Sequence, residues 1–147
     1  MPDTQPVPEG YATITPYLVV TDAPAYLDFL ANAFDAVERM RMEMPDGEIG
    51  HAEVEVGDSV VMVSDATLPE FPPTIAQMHV YVDDVDSTFV LAVKAGATTV
   101  ADPEDQPYGD RIARIVDPSG NRWSIATHIE DVDMDELARQ MAEGDGT

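Results

Sequence analysis

The amino-acid sequence repeats itself at an offset of 62 residues, and this constrains the fold more than any other feature. Tyr17-Leu18-Val19-Val20-Thr21-Asp22 falls over His79-Val80-Tyr81-Val82-Asp83-Asp84. Each run is rich in β-branched and aromatic residues, as strands are, and ends in an acidic turn. Gly47 falls over Gly109 and, after a slip of one residue, Gly57-Asp58 falls over Gly120-Asn121. Two copies of one motif, with little identity left between them, must therefore share one order of elements.

In the first copy the pattern predicts a strand over 12–20, then a helix over about 24–35 capped by Asp22. Tyr26, Leu27, Leu30, Ala31 and Phe34 recur along it at helical intervals. Val37 to Met44 alternates charged and apolar residues imperfectly, and Pro45-Asp46-Gly47 is a turn signature, so a hairpin follows. Residues 49–56 alternate again, Gly57-Asp58 turns, and Ser59 to Ser64 is a mostly apolar strand. The second copy begins after a Pro-rich connection, Leu68-Pro69-Glu70-Phe71-Pro72-Pro73. It predicts a strand over 77–83 and a helix over about 86–95, with Asp86 as its cap and Gly96 as its stop. Strands follow at about 98–102, 111–116 and 122–128, the last two joined by the turn Asp117-Pro118-Ser119-Gly120-Asn121. The class is α+β, with two tandem βαβββ modules, 12–64 and 77–129, in one domain. An N-terminal tail, 1–11, precedes them. In the acidic tail, 130–147, Met134, Leu137, Ala138 and Met141 keep the spacing of a short amphipathic helix.

Charge excludes whole classes of function. The 147 residues carry 29 Asp plus Glu against 7 Lys plus Arg, a formal net charge of −22. Such a chain repels phosphate backbones, and its one Lys and six scattered Arg form no basic stripe, so no nucleic-acid partner is expected. The composition suits concentrated salt, where charges are screened over a few ångströms, and equally suits an ordinary acidic surface. Apolar runs fall far short of the roughly 20 residues needed to span a bilayer. The opening MPDTQPVPEG lacks a basic start and an apolar core, so neither a membrane span nor a signal peptide is expected. Zero Cys removes disulfides, thiolate nucleophiles and Cys-ligated zinc, leaving the cytoplasm as the default compartment. No Gly-rich phosphate loop, Ser-His-Asp order or dinucleotide fingerprint is present.

The stretch Tyr108-Gly109-Asp110-Arg111, followed by Asp117-Pro118-Ser119-Gly120-Asn121-Arg122-Trp123-Ser124-Ile125, resembles the vicinal oxygen chelate superfamily of glyoxalases, bleomycin-resistance proteins and dioxygenases. Within it, the chain looks like the PhnB-like, glyoxalase-like branch. Ile14-Thr15-Pro16-Tyr17-Leu18-Val19 and Gly50-His51-Ala52-Glu53-Val54-Glu55-Val56-Gly57-Asp58 agree with it, and the resemblance covers about residues 12–129. It implies curved mixed sheets around a cavity. In members that are metalloenzymes it also implies a divalent ion held by two side chains per module, one on the first strand and one on the last. Those positions match Tyr17 and about Val61 in the first module, and His79 and Ser124 in the second. Only His79 is an ordinary ligand, and a slip of one residue brings in Met62 or Trp123, neither of which helps. No cofactor is therefore expected. A divalent metal remains open only through a non-standard set of His79, His51, Glu53 and Glu55.

Alternate residues of a strand share a face, so His79 goes with Tyr81, and Tyr17 is the counterpart of His79 by the repeat. An apolar pocket with a few polar tips is the usual composition of a small-molecule site. The expected ligand-binding residues are Tyr17, His51, His79, Tyr81, Arg111, Ser124 and Trp123, with His79 the best single catalytic candidate. Arg114 points away from Arg111, so one of the two meets a ligand and the other pairs with surface acids. His128 is expected as an exposed imidazole beside Glu130 and Asp131.

The reading is a protein that binds a small organic molecule in a concave pocket, without the usual tightly bound metal. Its rivals are a metal-dependent lyase, isomerase or dioxygenase, and a non-catalytic interaction module whose Tyr17 and His79 are shut away from solvent. Met40, Met42, Met44 and the tail helix offer apolar surface for a homodimer.

Overall fold

The structure is a computed structural model that describes residues 4–144; the outermost residues of the two expected tails, 1–3 and 145–147, lie outside the described residues. Along the chain come β1 (Tyr17–Val20), α1 (Ala23–Phe34), β2 (Val37–Glu43), β3 (Ile49–Val56) and β4 (Ser59–Asp65). Then come β5 (Gln77–Tyr81), α2 (Val85–Lys94), β6 (Thr98–Asp105), β7 (Asp110–Val116), β8 (Arg122–His128) and α3 (Met134–Gly144). This is βαβββ twice, α+β, with one four-stranded mixed sheet per module. By contacts the chain divides into two compact units. The first runs up to Ala76 and takes in Pro118–Asn121; the second is Gln77–Asp117 and the chain from Arg122 on.

In the first unit the strand order is β1-β4-β3-β2, with β1 parallel to β4 and the other neighbours antiparallel. One face of this sheet is packed by α1. Leu18, Val20, Ala52, Val54, Val61 and Val63 are buried, as are Tyr26, Leu27, Leu30 and Phe34 on the helix. Each large aliphatic side chain buried there contributes about 1.5–3 kcal/mol. Asp22 caps α1, its side chain accepting from the Ala25 amide at 3.1 Å. Asp65 does more, because its two carboxylate oxygens accept from the amides of Ala23 and Ile49, each at 2.7 Å. The ends of β4, β3 and α1 are thereby tied together. Asn121, fully buried, accepts from the Ala76 amide at 2.8 Å and donates to the Tyr26 hydroxyl at 3.3 Å.

The second unit repeats the order as β5-β8-β7-β6. Its helix cap differs from the expected one: α2 starts at Val85, and Asp84 rather than Asp86 accepts from the Asp86 and Ser87 amides at 3.1 and 3.3 Å. Asp86 lies inside the first turn, where it is drawn to Arg111. Thr127 takes the part played by Asp65, accepting from the Val85 amide at 2.8 Å while donating to the Val82 carbonyl at 2.9 Å.

Three strand boundaries differ from expectation by more than one residue. β1 begins only at Tyr17, since Pro16 has no N–H for the ladder, although its carbonyl accepts from the Met62 amide at 2.9 Å. β5 stops at Tyr81. β6 runs on to Asp105 as an edge strand, and it holds Pro103 within the irregular register between Ala101 and Glu104. Among the described residues, no helix is long and apolar enough to cross a membrane.

Candidate functional site

Alternation along the strands leaves each sheet with a face turned away from its helix. In the first unit this open face carries Tyr17, Met62 and Glu53 as one row, because Met62 pairs with both neighbours. The last-strand position facing Tyr17 is thus Met62, whereas Val61, the expected residue, is 5% exposed among the helix-side residues.

A hydrogen-bonded chain runs across this face. The Tyr11 hydroxyl donates to Oε1 of Glu53, and Nε2 of His51 lies 2.8 Å from Oε2. Glu53 is only 5% exposed, and the bonds from Tyr11 and then His51 hold its carboxyl below the ordinary carboxylate range. An ionised carboxylate only accepts, so neutral His51 carries its proton on Nε2 and leaves the Nδ1 lone pair outward. The Tyr17 hydroxyl sits 3.1 Å from that Nδ1 and donates to it. Tyr17 itself is 45% exposed. Behind the chain, the Arg39 guanidinium stands 4.8 Å over the Tyr11 ring and 3.7 Å from Glu55.

On the second sheet the ring centroids of His79 and Tyr81 are 4.9 Å apart, and both residues are exposed. The Tyr81 hydroxyl donates to Asp110 at 2.9 Å, and His128 bridges Asp110 and Asp131 at 2.7 and 2.8 Å. The hydrogen bond that His128 donates to Asp131 first, then the one it donates to Asp110, raises its pKa above the ordinary value. The bond from His128 in turn lowers that of buried Asp110. Further along the same face, Ser124 pairs with His79 on one side and Arg114 on the other, and Arg122 pairs with Gln77. A hollow of about 50 Å³ opens there, lined by Gln77, Arg114, Arg122, Trp123 and Ser124 among others.

Of the residues expected from sequence, Tyr17 and His51 meet directly, and His79, Tyr81 and Ser124 share the second open face. Arg111 is placed elsewhere: its guanidinium is held by Asp86 at 2.9 and 3.0 Å and by Asp105 at 3.0 Å. Of Arg111 and Arg114, it is Arg114 that lies on the open face. Trp123 is 4% exposed, alternates with Ser124 on β8, and spends its indole N–H on Asp117 at 2.8 Å. Its ring therefore packs into the unit, and the residue borders the hollow. His128 is a bridge between two carboxylates rather than a lone exposed imidazole. Tyr11 and Asp110 went unread in the sequence. Tyr11 lies in a segment without periodicity, and Asp110 looks like an ordinary turn acid until Tyr81 and His128 are seen on it.

The donors do not fit a four-ligand metal centre. Tyr17, Met62, His79 and Ser124 offer one ordinary ligand, where a catalytic centre takes three. The non-standard set fares no better, since His51 and Glu53 are bonded to each other and Glu55 pairs with Arg39. Among the described residues, no group of three or more His, Cys, Asp or Glu side chains converges as a metal site.

The sequence pattern of the Glyoxalase/Bleomycin resistance protein/Dioxygenase superfamily matches residues 11–125. An uncharacterized protein of Mycobacterium bovis, Mb0911c, is 39% identical in an alignment 144 positions long that covers 90% of this chain and 95% of that protein. A putative glyoxylase of the same organism, CFP32, is 30% identical over 73% of this chain, which spans 41% of its length. Among solved structures, TioX from Micromonospora sp. ML1 superposes with a TM-score of 0.68 at 29% identity, over 80% of this chain and 99% of TioX.

Proposed function

Because the chain belongs to the glyoxalase/bleomycin resistance protein/dioxygenase superfamily, we propose that it binds a small organic molecule on the open faces of its sheets, without the four-ligand metal centre. We assign it to the PhnB-like branch on Tyr108-Gly109-Asp110-Arg111 and the turn Asp117–Asn121. The observation that carries the binding reading is the pair of rows in which Tyr17 faces Met62 and His79 faces Ser124: of these four positions, where a metalloenzyme needs carboxylates or imidazoles, only His79 holds one. Exposed Tyr17, His79 and Tyr81 favour binding over an interaction module with a filled pocket. The test is elemental analysis of protein purified without chelator or affinity metal in high-salt buffer, followed by a ligand screen by thermal shift. Metal well below stoichiometry together with a stabilising hit supports the reading. One equivalent of zinc, nickel, manganese or iron, lost in His79→Ala, overturns it in favour of the metal-dependent lyase, isomerase or dioxygenase.

The chain Glu53–His51–Tyr17 favours a second reading, metal-free acid–base catalysis. A buried carboxylate orients an imidazole whose free nitrogen accepts the proton of an exposed hydroxyl, the arrangement that serves proton transfer to or from a bound substrate. Turnover of a thermal-shift hit that falls about 100-fold or more in His51→Gln with binding retained supports it; a bound hit that is never turned over rules it out.

The protein's working form is a homodimer in the cytoplasm on this reading. Exposed Val37 and Met42 on β2, Met44 just beyond it, and Met134 and Met141 on α3 support the pairing. Light scattering giving the mass of one 16.0 kDa chain in high salt overturns it.

A further inference from the structure

We propose that the open face of the second sheet holds an oxyanion-binding site, in which Arg114 and Arg122 grip the carboxylate or phosphate group of a small molecule. The argument starts from charge. With 29 acids to 7 bases, an arginine in this chain has every opportunity to find a carboxylate. Arg39, Arg41, Arg111 and Arg139 all do so, with Glu55, Glu38, Asp86 and Glu136 respectively. Lys94 sits in the last turn of α2, where the helix dipole favours a cation. Among the described residues, the guanidinium groups of Arg114 and Arg122 have no such partner, and both are exposed on the same face of adjacent strands.

Their spacing makes this more than coincidence. Arg114 pairs with Ser124, and Arg122 lies two residues before Ser124 on β8, so the arginines are diagonal neighbours. Side chains in that relation stand about 7–8 Å apart at their bases, within reach of long residues. Two like charges so placed repel each other, and a shared anion relieves that repulsion. The guanidinium fork matches carboxylate and phosphate oxygens two at a time. Ser124 and Gln77 add neutral donors at the rim of the hollow, and Val100, Ile115 and Trp123 complete its lining. At about 50 Å³ the hollow suits a compact oxyanion, the whole pocket of a drug-sized ligand being about 300 Å³ or more. This inference rests on the binding reading above and gives it a ligand class.

Trp123 is the only tryptophan of the chain and borders the hollow, so its fluorescence reports occupancy. Inorganic phosphate and benzoate are titrated separately at fixed ionic strength. A saturable change with either supports the site, and the responding probe tells whether the group is a phosphate or a carboxylate. Arg114→Gln and Arg122→Gln are each expected to weaken that binding about tenfold or more. Arg114→Lys, which keeps the charge and loses the fork, is expected to fall between wild type and Arg114→Gln. Lys94→Gln removes one charge elsewhere and is expected to leave binding unchanged. Circular dichroism confirms folding of each variant. No saturable response to either probe, a response that survives in the Arg114→Gln/Arg122→Gln double variant, or an equal loss in Lys94→Gln overturns the proposal. A neutral thermal-shift hit without any oxyanion response leaves the binding reading standing and ends this one.

Discussion

Glu53 and Arg114 hold the same place in the two sheets. Each pairs with the closing-strand residue, Met62 or Ser124, that pairs in turn with the opening-strand residue, Tyr17 or His79. Their charges are opposite, and so are their surroundings: Glu53 is buried with two donors on it, whereas Arg114 is exposed on the rim of a hollow. One duplicated backbone thus presents an acidic, internally satisfied face on one sheet and a basic, open one on the other.

The first consequence concerns acid. The Glu53 carboxyl is held below its ordinary value of 4.5, so its stabilisation is complete above that value and lost as pH falls through the depressed folded value. Glu53→Gln keeps the shape and loses the charge that His51 and Tyr11 bond to, at a cost of about 1–3 kcal/mol near neutrality. Melting curves between pH 3 and 8 are expected to show a wild-type advantage that closes below about pH 4. An advantage that is constant across this range contradicts the assignment.

His128 gives the opposite slope. Its pKa is raised above 6.5 by Asp131 and Asp110, so the stabilisation it provides is full below 6.5 and lost as pH rises through the higher folded value. At the acid end the depressed pKa of Asp110 means that the pairing fails only as pH falls below the ordinary 3.8. The difference in melting temperature between wild type and His128→Gln is therefore expected to peak between about pH 4.5 and 6.5 and shrink above it. NMR titration of the imidazole checks the direction independently.

Gly109 is irreplaceable for two reasons that act together. Its φ is +96°, and a Cβ there would overlap the Glu130 carbonyl, on the segment whose Ile129 and Glu130 amides donate to the Gly109 carbonyl at 2.8 and 3.1 Å. Gly47 has a similar φ of +87° with nothing within 4 Å of such a Cβ, so it isolates the backbone contribution. Gly47→Ala is expected to cost about 1 kcal/mol and Gly109→Ala about 3 kcal/mol or more, read by urea denaturation. Equal costs would mean that the Glu130 segment yields freely.

The repeat made the architecture legible because strand and helix periodicity are local, and an offset of 62 carried each element from one module to the other. The same offset places Asp22 over Asp84, and Asp84 is the cap that α2 uses; Asp86 has no acidic counterpart in the first module, since Pro24 stands at that place. The site was less legible, since its residues meet through packing that no spacing encodes. His51 and Glu53 were visible as neighbours on one face, but Tyr11 reaches Glu53 from 42 residues away. Arg114 was separable from Arg111 only by facing, and the choice between them needed Asp86 and Asp105 to be seen holding Arg111.

That offset also joins Asp65 to Thr127, and Ala23 to Val85, the residues whose amides they hold. Both modules thus start their helix by anchoring its first amide to the end of the closing strand, once with a carboxylate and once with a hydroxyl. The two anchors differ in load. Asp65 serves two amides, Ala23 and Ile49, each at 2.7 Å, whereas Thr127 serves Val85 and returns its own proton to the Val82 carbonyl. Removing Asp65 leaves two donors without their charged acceptor, and Thr127→Val, close in shape, leaves one donor and one acceptor. Asp65→Ala is expected to cost about 3 kcal/mol and Thr127→Val about 1–2 kcal/mol. Hydrogen exchange discriminates further: the Ala23 and Ile49 amides are expected to lose protection together in Asp65→Ala, and Val85 alone in Thr127→Val. If Ile49 keeps its protection without Asp65, then the carboxylate anchors the helix only, and β3 is held by its ladder.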